Sequence, residues 1–141
     1  MITKATFKCS SERISQVPKD SLPDIAFIGR SNVGKSSLIN MLTQHKGLAK
    51  VSATPGKTRL INHFTINDSW YLVDLPGYGY ARTSKSTRGS FAKIITDYVF
   101  KCEKIHFLFV LVCLSEDKAK RNTVYPQLLD KFEVYLLRFK A

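Results

Sequence analysis

Eight residues constrain this chain more than any other stretch: Gly29-Arg-Ser-Asn-Val-Gly-Lys-Ser36, entered from apolar Ile25-Ala-Phe-Ile28 and left through Ser37-Leu-Ile-Asn-Met-Leu42. They satisfy G-x-x-x-x-G-K-[ST] in full. A polyphosphate packs several negative charges into a small volume. Its receptor must therefore aim many N–H donors inward with no bulky side chain in the way. Gly29 and Gly34 permit that backbone path. Lys35 then reaches the outer phosphates and Ser36 offers a hydroxyl to Mg²⁺, while the helix that starts there points its positive end at the anion. The order demanded is strand, loop, helix, and the flanks supply it.

Length and charge narrow the rest. At 141 residues a single domain with one core is expected. No apolar run approaches the roughly 18 residues of a membrane span, and Met1 to Cys9 lacks the apolar centre of a secretory signal. A cytoplasmic protein without a membrane partner is the expectation. Cys9, Cys102 and Cys113 are odd in number and without C-x-x-C spacing, so they read as reduced, mostly buried thiols. The formal net charge of +11 favours polyanionic partners, nucleotide and nucleic acid.

Along the chain, Ala5 to Ser10 reads as an edge strand and Asp24 to Ile28 as the buried strand feeding the loop. A helix from Lys35 to about Gln44 places Leu38, Ile39, Met41 and Leu42 on a broad apolar face. Lys50 to Thr58 is rich in Ser, Thr, Pro and Gly, a basic loop suited to being ordered by a terminal phosphate and Mg²⁺. Arg59 to Thr65 and Trp70 to Asp74 form a hairpin about Asn67-Asp68. It ends in Asp74-Leu75-Pro76-Gly77, where a carboxylate at a strand end holds Mg²⁺ through water and a glycine N–H meets the last phosphate. Tyr78 to Lys85 reads as a mobile basic loop. Arg88 to Lys101 fits a helix with a core stripe of Phe91, Ile94, Ile95 and Tyr98, and Phe107 to Cys113 a central parallel strand.

Taken together, Gly29 to Asn40, Thr54-Pro-Gly-Lys-Thr58 with Leu60-Ile-Asn-His-Phe64, and Leu72 to Ala81 closely resemble the EngB/YihA family of ribosome-biogenesis GTP-binding proteins, a branch of the P-loop GTPases. The resemblance covers about the first 111 residues. It implies an α/β, three-layer, Ras-like domain with a mostly parallel sheet. It implies that Gly29, Arg30, Ser31, Asn32, Val33, Gly34, Lys35 and Ser36 hold the phosphates of GTP or GDP. Gly56, Lys57, Thr58, Arg59 and Leu60 would be the first switch, and Asp74, Leu75, Pro76 and Gly77 the second. Ser36 and Thr58 would ligate Mg²⁺ directly, with Lys35, Thr58 and Gly77 as the catalytic group. The implied role is a GTPase switch in assembly of the large ribosomal subunit, with rRNA as partner, linked to cell division and septation; a monomer is expected.

Two departures, and one further candidate, qualify that expectation. Tyr78 stands where many GTPases carry a water-orienting glutamine, so intrinsic hydrolysis should be slow. Asn32 is a candidate for holding K⁺ beside the phosphates, or simply a turn residue. After Leu111 the family pattern fades, and no Asn/Thr-Lys-x-Asp selects guanine anywhere in the chain. The tail, 112–141, includes the apolar piece Val124 to Phe139 with some helical spacing. The expectation is a family member shortened or frameshifted near residue 112, its Phe107 strand left as an open apolar edge and its nucleotide binding weak and poorly discriminating. The alternatives are a non-hydrolysing basic RNA-binding remnant and, further off, an ATP-handling kinase.

Overall fold

The computed structural model describes residues 1–29, 34–49, 60–77, 85–113 and 134–139, the last segment and residues 85–92 and 112–113 by backbone alone. Six strands form one sheet among the described residues: β1 (Ala5–Ser11), β2 (Asp24–Gly29), β3 (Ile61–Ile66), β4 (Trp70–Asp74), β5 (Ile105–Cys113) and β6 (Val134–Phe139). Their spatial order is β1-β3-β4-β2-β5-β6. The pairs β2·β4, β2·β5 and β5·β6 are parallel, whereas β1·β3 and β3·β4 are antiparallel. Two α-helices are described, α1 (Lys35–Thr43) and α2 (Lys85–Lys101), with a short 3-10 turn at Ile14–Gln16.

β2 is central because it is apolar on both faces, as a strand covered on both sides must be. Ala26 and Ile28 enter a core with Ile95, Tyr98, Val99, Leu108 and Val110, so α2 lies on that face. Phe27 alternates to the other face, where it packs with Leu38 and Ile39 of α1 and with Phe64, Leu72 and Leu111. The sheet is thus the middle of three layers. Each fully buried Leu or Ile contributes roughly 1.5–3 kcal/mol.

The hairpin closes as its turn residues require. Asn67 and Asp68 both take positive φ, 50° and 51°, and the Ser69 N–H donates to the Ile66 carbonyl at 2.9 Å. That is the doubly left-handed turn whose twist suits adjacent strands. The Asn67 side chain also accepts from the N–H groups of Thr3 and Lys4 at 2.8 and 2.9 Å, tying the chain start to the hairpin.

Three expectations are corrected. The Phe107 strand is no open edge: β5 lies between β2 and β6, in register from Leu108↔Val134 to Cys113↔Phe139. Within the apolar tail, where some helical spacing was noted, Val134–Phe139 is a strand, its backbone paired in parallel with β5. The apolar face of α1 is also narrower than read. Leu38 and Ile39 are buried, but Met41 is 65% exposed and Leu42 40%, and Thr43 turns inward instead. Thr43 is accommodated there because its hydroxyl donates to the Ile39 carbonyl at 2.8 Å. Of the thiols, Cys102 is buried and Cys9 half-buried. Burial pushes the Cys102 thiol above its ordinary value, which leaves it inert.

Candidate functional site

β2 ends at Gly29 and α1 begins at Lys35, so a strand leads into the phosphate motif and a helix leaves it, as expected. Gly34 is the N-cap of α1 at φ 95°, ψ 20°. A side chain at that φ is strained even though nothing lies within 4 Å of where its Cβ would sit, so the backbone path, not space, requires glycine. Its carbonyl accepts the Leu38 N–H at 2.9 Å and starts the helical ladder. Gly34 has no side chain to cap the first turn, so the N–H groups there remain available to an anion.

β4 brings the second piece. Because β2 and β4 run parallel with Phe27 opposite Asp74, the Asp74 carboxylate arrives beside the root of the loop. Leu75 then donates its N–H to the Phe27 carbonyl at 3.0 Å, which fixes the start of the Asp74 to Gly77 segment against β2. Lys35 bridges the two pieces. Its Nζ lies 2.8 Å from Asp74 Oδ1, with the side chains 10% and 3% exposed, and it donates to the Leu75 carbonyl. Asp74 Oδ1 is held by this ion contact without an aligned hydrogen bond. Ser36 is half-buried in the first turn of α1, Leu75 and Pro76 are buried, and Gly77 is half-buried.

Of the site residues read from the sequence, the structure joins Lys35, just after Gly34, to Asp74 and Leu75; Gly29, Ser36, Pro76 and Gly77 are their neighbours along the chain. Leu60 precedes β3 and is half-buried. Arg30, Ser31, Asn32 and Val33 of the loop lie outside the described residues, as do Gly56, Lys57, Thr58 and Arg59 of the first switch, Tyr78, and the Tyr78 to Ser84 segment. The site combines a glycine-framed helix start, an ammonium, a hydroxyl and a buried carboxylate. Those are hard oxygen and N–H groups, suited to a phosphate chain with a hard divalent cation.

Two arrangements escaped the sequence. Asn40 clamps the Ala49 backbone from α1: Ala49 N–H donates to Asn40 Oδ1 at 2.7 Å and Asn40 Nδ2 donates to the Ala49 carbonyl at 2.9 Å. Only the two-sided amide of Asn does this. The other is a polar cluster at the far end of β2. There Tyr98 Oη donates to Asp24 Oδ2 at 2.7 Å, and His63 Nε2 stands 3.5 Å from the same oxygen. Lys104 Nζ lies 3.8 Å from Asp24 Oδ1 and 3.3 Å from Asp20 Oδ1. Burial, with Asp24 beside it, pushes the Tyr98 phenol far above its ordinary range. Nothing in residue spacing signals this cluster, because its members come from β2, β3, α2 and the connections that hold Asp20 and Lys104.

Comparison with known proteins fits this geometry. The profile of a family described as 50S ribosome-binding GTPase matches residues 24–133. A probable GTP-binding protein EngB of Flavobacterium psychrophilum is 53% identical over 133 residues, 94% of this chain and 65% of the relative. Its namesake from Christiangramia forsetii is 60% identical over 111 residues, 79% of this chain and 56% of the relative. The chain therefore spans about 56–65% of the length of these relatives. A crystal structure of a probable GTP-binding protein engB superposes with a TM-score of 0.57 at 25% identity, over 82% of this chain and 68% of that one. With its phosphate loop, its strand-end aspartate and these relatives, the chain belongs to the 50S ribosome-binding GTPase family, in its EngB branch.

Proposed function

We propose that this chain binds a guanine nucleotide with Mg²⁺ and acts as a phosphate-sensing GTPase switch on the large ribosomal subunit. The observation that carries the reading is the meeting of Lys35, at a helix start opened by left-handed Gly34, with the Asp74 carboxylate of the neighbouring strand. The family's 50S description and the net charge of +11 support an rRNA-rich partner. In this reading Gly29 to Ser36 hold the phosphates, with Asn32 a candidate for also holding K⁺. Ser36 and Thr58 supply hydroxyls to the metal and Asp74 supports it through water. Bound there, Mg²⁺ would neutralise charge on the phosphate oxygens. Lys35 orients the outer phosphates, and the Gly77 N–H reports whether the last one is present. A cytoplasmic monomer with a part in cell division and septation completes the proposal.

Tyr78 offers no base at neutral pH, so turnover is slow until a partner or cation supplies the missing group. No Asn/Thr-Lys-x-Asp segment occurs within these 141 residues, so affinity measured on this chain is proposed to rest on phosphate contacts. The test is equilibrium binding of a non-cleavable GTP analogue in Mg²⁺. Lys35→Ala should weaken it by about a hundredfold or more, ~2.7 kcal/mol; equal binding overturns the proposal. A preference for GTP over ATP of roughly a thousandfold would refute the phosphate-only account of affinity. The net charge of +11 also favours a second reading, a basic RNA-binding remnant. RNA affinity that ignores both nucleotide and Lys35→Ala would select it.

A further inference from the structure

Lys35 is approached by two oxygens from the end of β4, and the two are held differently. The Leu75 carbonyl is fixed, because its residue is buried and its N–H is tied to Phe27 at 3.0 Å. Asp74 Oδ1 is held by charge, at 2.8 Å from Nζ without an aligned hydrogen bond. An ammonium has three donors, so the protein's own oxygens engage most of its capacity. We propose that Asp74 is a built-in rival of the nucleotide for Lys35, and that a divalent cation is what makes the carboxylate let go.

The inference rests on the nucleotide reading above and deepens it. A phosphate that comes to Lys35 meets a carboxylate already beside the ammonium, in a site with little water. Two anions then share one cation, and their mutual repulsion is weakly screened because both side chains are nearly buried. When a divalent cation is present, Asp74 has a positive partner of its own, and the share of Lys35 it held turns to phosphate. Asp74 thereby ties nucleotide affinity to the metal: it supports binding with Mg²⁺ and opposes it without. No covalent step is involved.

The test compares wild type and Asp74→Asn, binding GDP and inorganic tripolyphosphate by calorimetry in excess EDTA and in excess Mg²⁺. Asp74→Asn keeps the shape and removes the charge. It should tighten metal-free binding about tenfold, ~1.4 kcal/mol, and shrink the gain from Mg²⁺ by at least that factor. Metal-free affinity that is unchanged or weaker in Asp74→Asn overturns the proposal while leaving the nucleotide reading intact. Should wild type bind neither ligand even with Mg²⁺, both fall together. A measurement without any variant guards against a misfolded one: reductive methylation of wild-type protein in EDTA, followed residue by residue by mass spectrometry. Lys35 should react far more slowly than exposed Lys8, and tripolyphosphate alone should not change that order. Equal rates mean the ion pair is not made, and the proposal is wrong.

Discussion

The sheet buries one carboxylate at each end, and the two are kept in different ways. Asp24 opens β2 and Asp74 closes β4, with Asp24 opposite Tyr71 and Phe27 opposite Asp74, so the two lie about 10 Å apart along the strands. Asp24 receives the Tyr98 hydroxyl at 2.7 Å, from α2, and the Cys102 thiol at 3.8 Å, from the residue just after it. Asp74 has the Lys35 ammonium, on the helix that follows the phosphate loop. Each carboxylate also has a lysine near an Oδ1 that lacks a hydrogen bond, Lys104 at 3.8 Å from Asp24 and Lys35 at 2.8 Å from Asp74, but only Asp24 has in addition a hydroxyl donor on a packed helix. Buried charge alone therefore does not distinguish a structural site from a functional one; the presence or lack of a neutral donor beside the ion contact does.

The largest way to break that contrast is Asp24→Ala. It strands the Tyr98 hydroxyl, His63 and Lys104 around a lost carboxylate, and removing one member of a buried polar pair costs about 3–5 kcal/mol. Urea unfolding should show that loss, while the fraction still folded keeps its nucleotide affinity, because the cluster lies at the other end of the strands. An unchanged unfolding midpoint would mean the cluster holds nothing. Tyr98→Phe sharpens the point with a smaller change. It removes one hydrogen bond to a charged acceptor and should cost about 1.5–2 kcal/mol, again with nucleotide affinity unmoved. A shift in affinity larger than that in stability would show that the two ends communicate.

The asymmetry also explains what could be read in advance. The phosphate end is written in contiguous residues: Gly29 to Ser36 must be a strand-to-helix turn, and Asp74 to Gly77 gains meaning only downstream of it. The hairpin was legible for the same local reason, since Asn67-Asp68 accepts a left-handed turn. The Asp24 cluster was not, because Asp24, His63, Tyr98 and Lys104 are brought together only by strand order and by α2 crossing the sheet. The direct pairing of Lys35 with Asp74 escaped too. Sequence assigned each a partner in the ligand, and only their juxtaposition shows each as a partner for the other. In the tail, six residues paired to β5 overrode a helical spacing that packing alone could have judged.

The smallest effect is an acid dependence at the structural end. Tyr71 Oη donates to Asp20 Oδ2 at 2.6 Å. That bond is the main reason the Asp20 carboxyl sits below its ordinary value of 3.8, with partial burial opposing it and Leu22 N–H and Lys104 assisting. A carboxyl lowered in the folded state stabilises fully above the unfolded value. Its contribution disappears as pH falls through the folded one, so the loss belongs below about pH 4. Asp20 is 44% exposed, so solvent screening holds the contribution to ~0.5 kcal/mol. The same bond acts in reverse at high pH. Burial first, and Asp20 second, push the Tyr71 phenol up to about 12 from 10.0, so its share is present below pH 10 and fades as pH rises toward 12. Unfolding midpoints followed from neutral to about pH 3 should therefore fall less steeply in Tyr71→Phe than in wild type. Parallel slopes would assign the acid loss to other groups and leave the Tyr71–Asp20 bond without a stabilising role in acid.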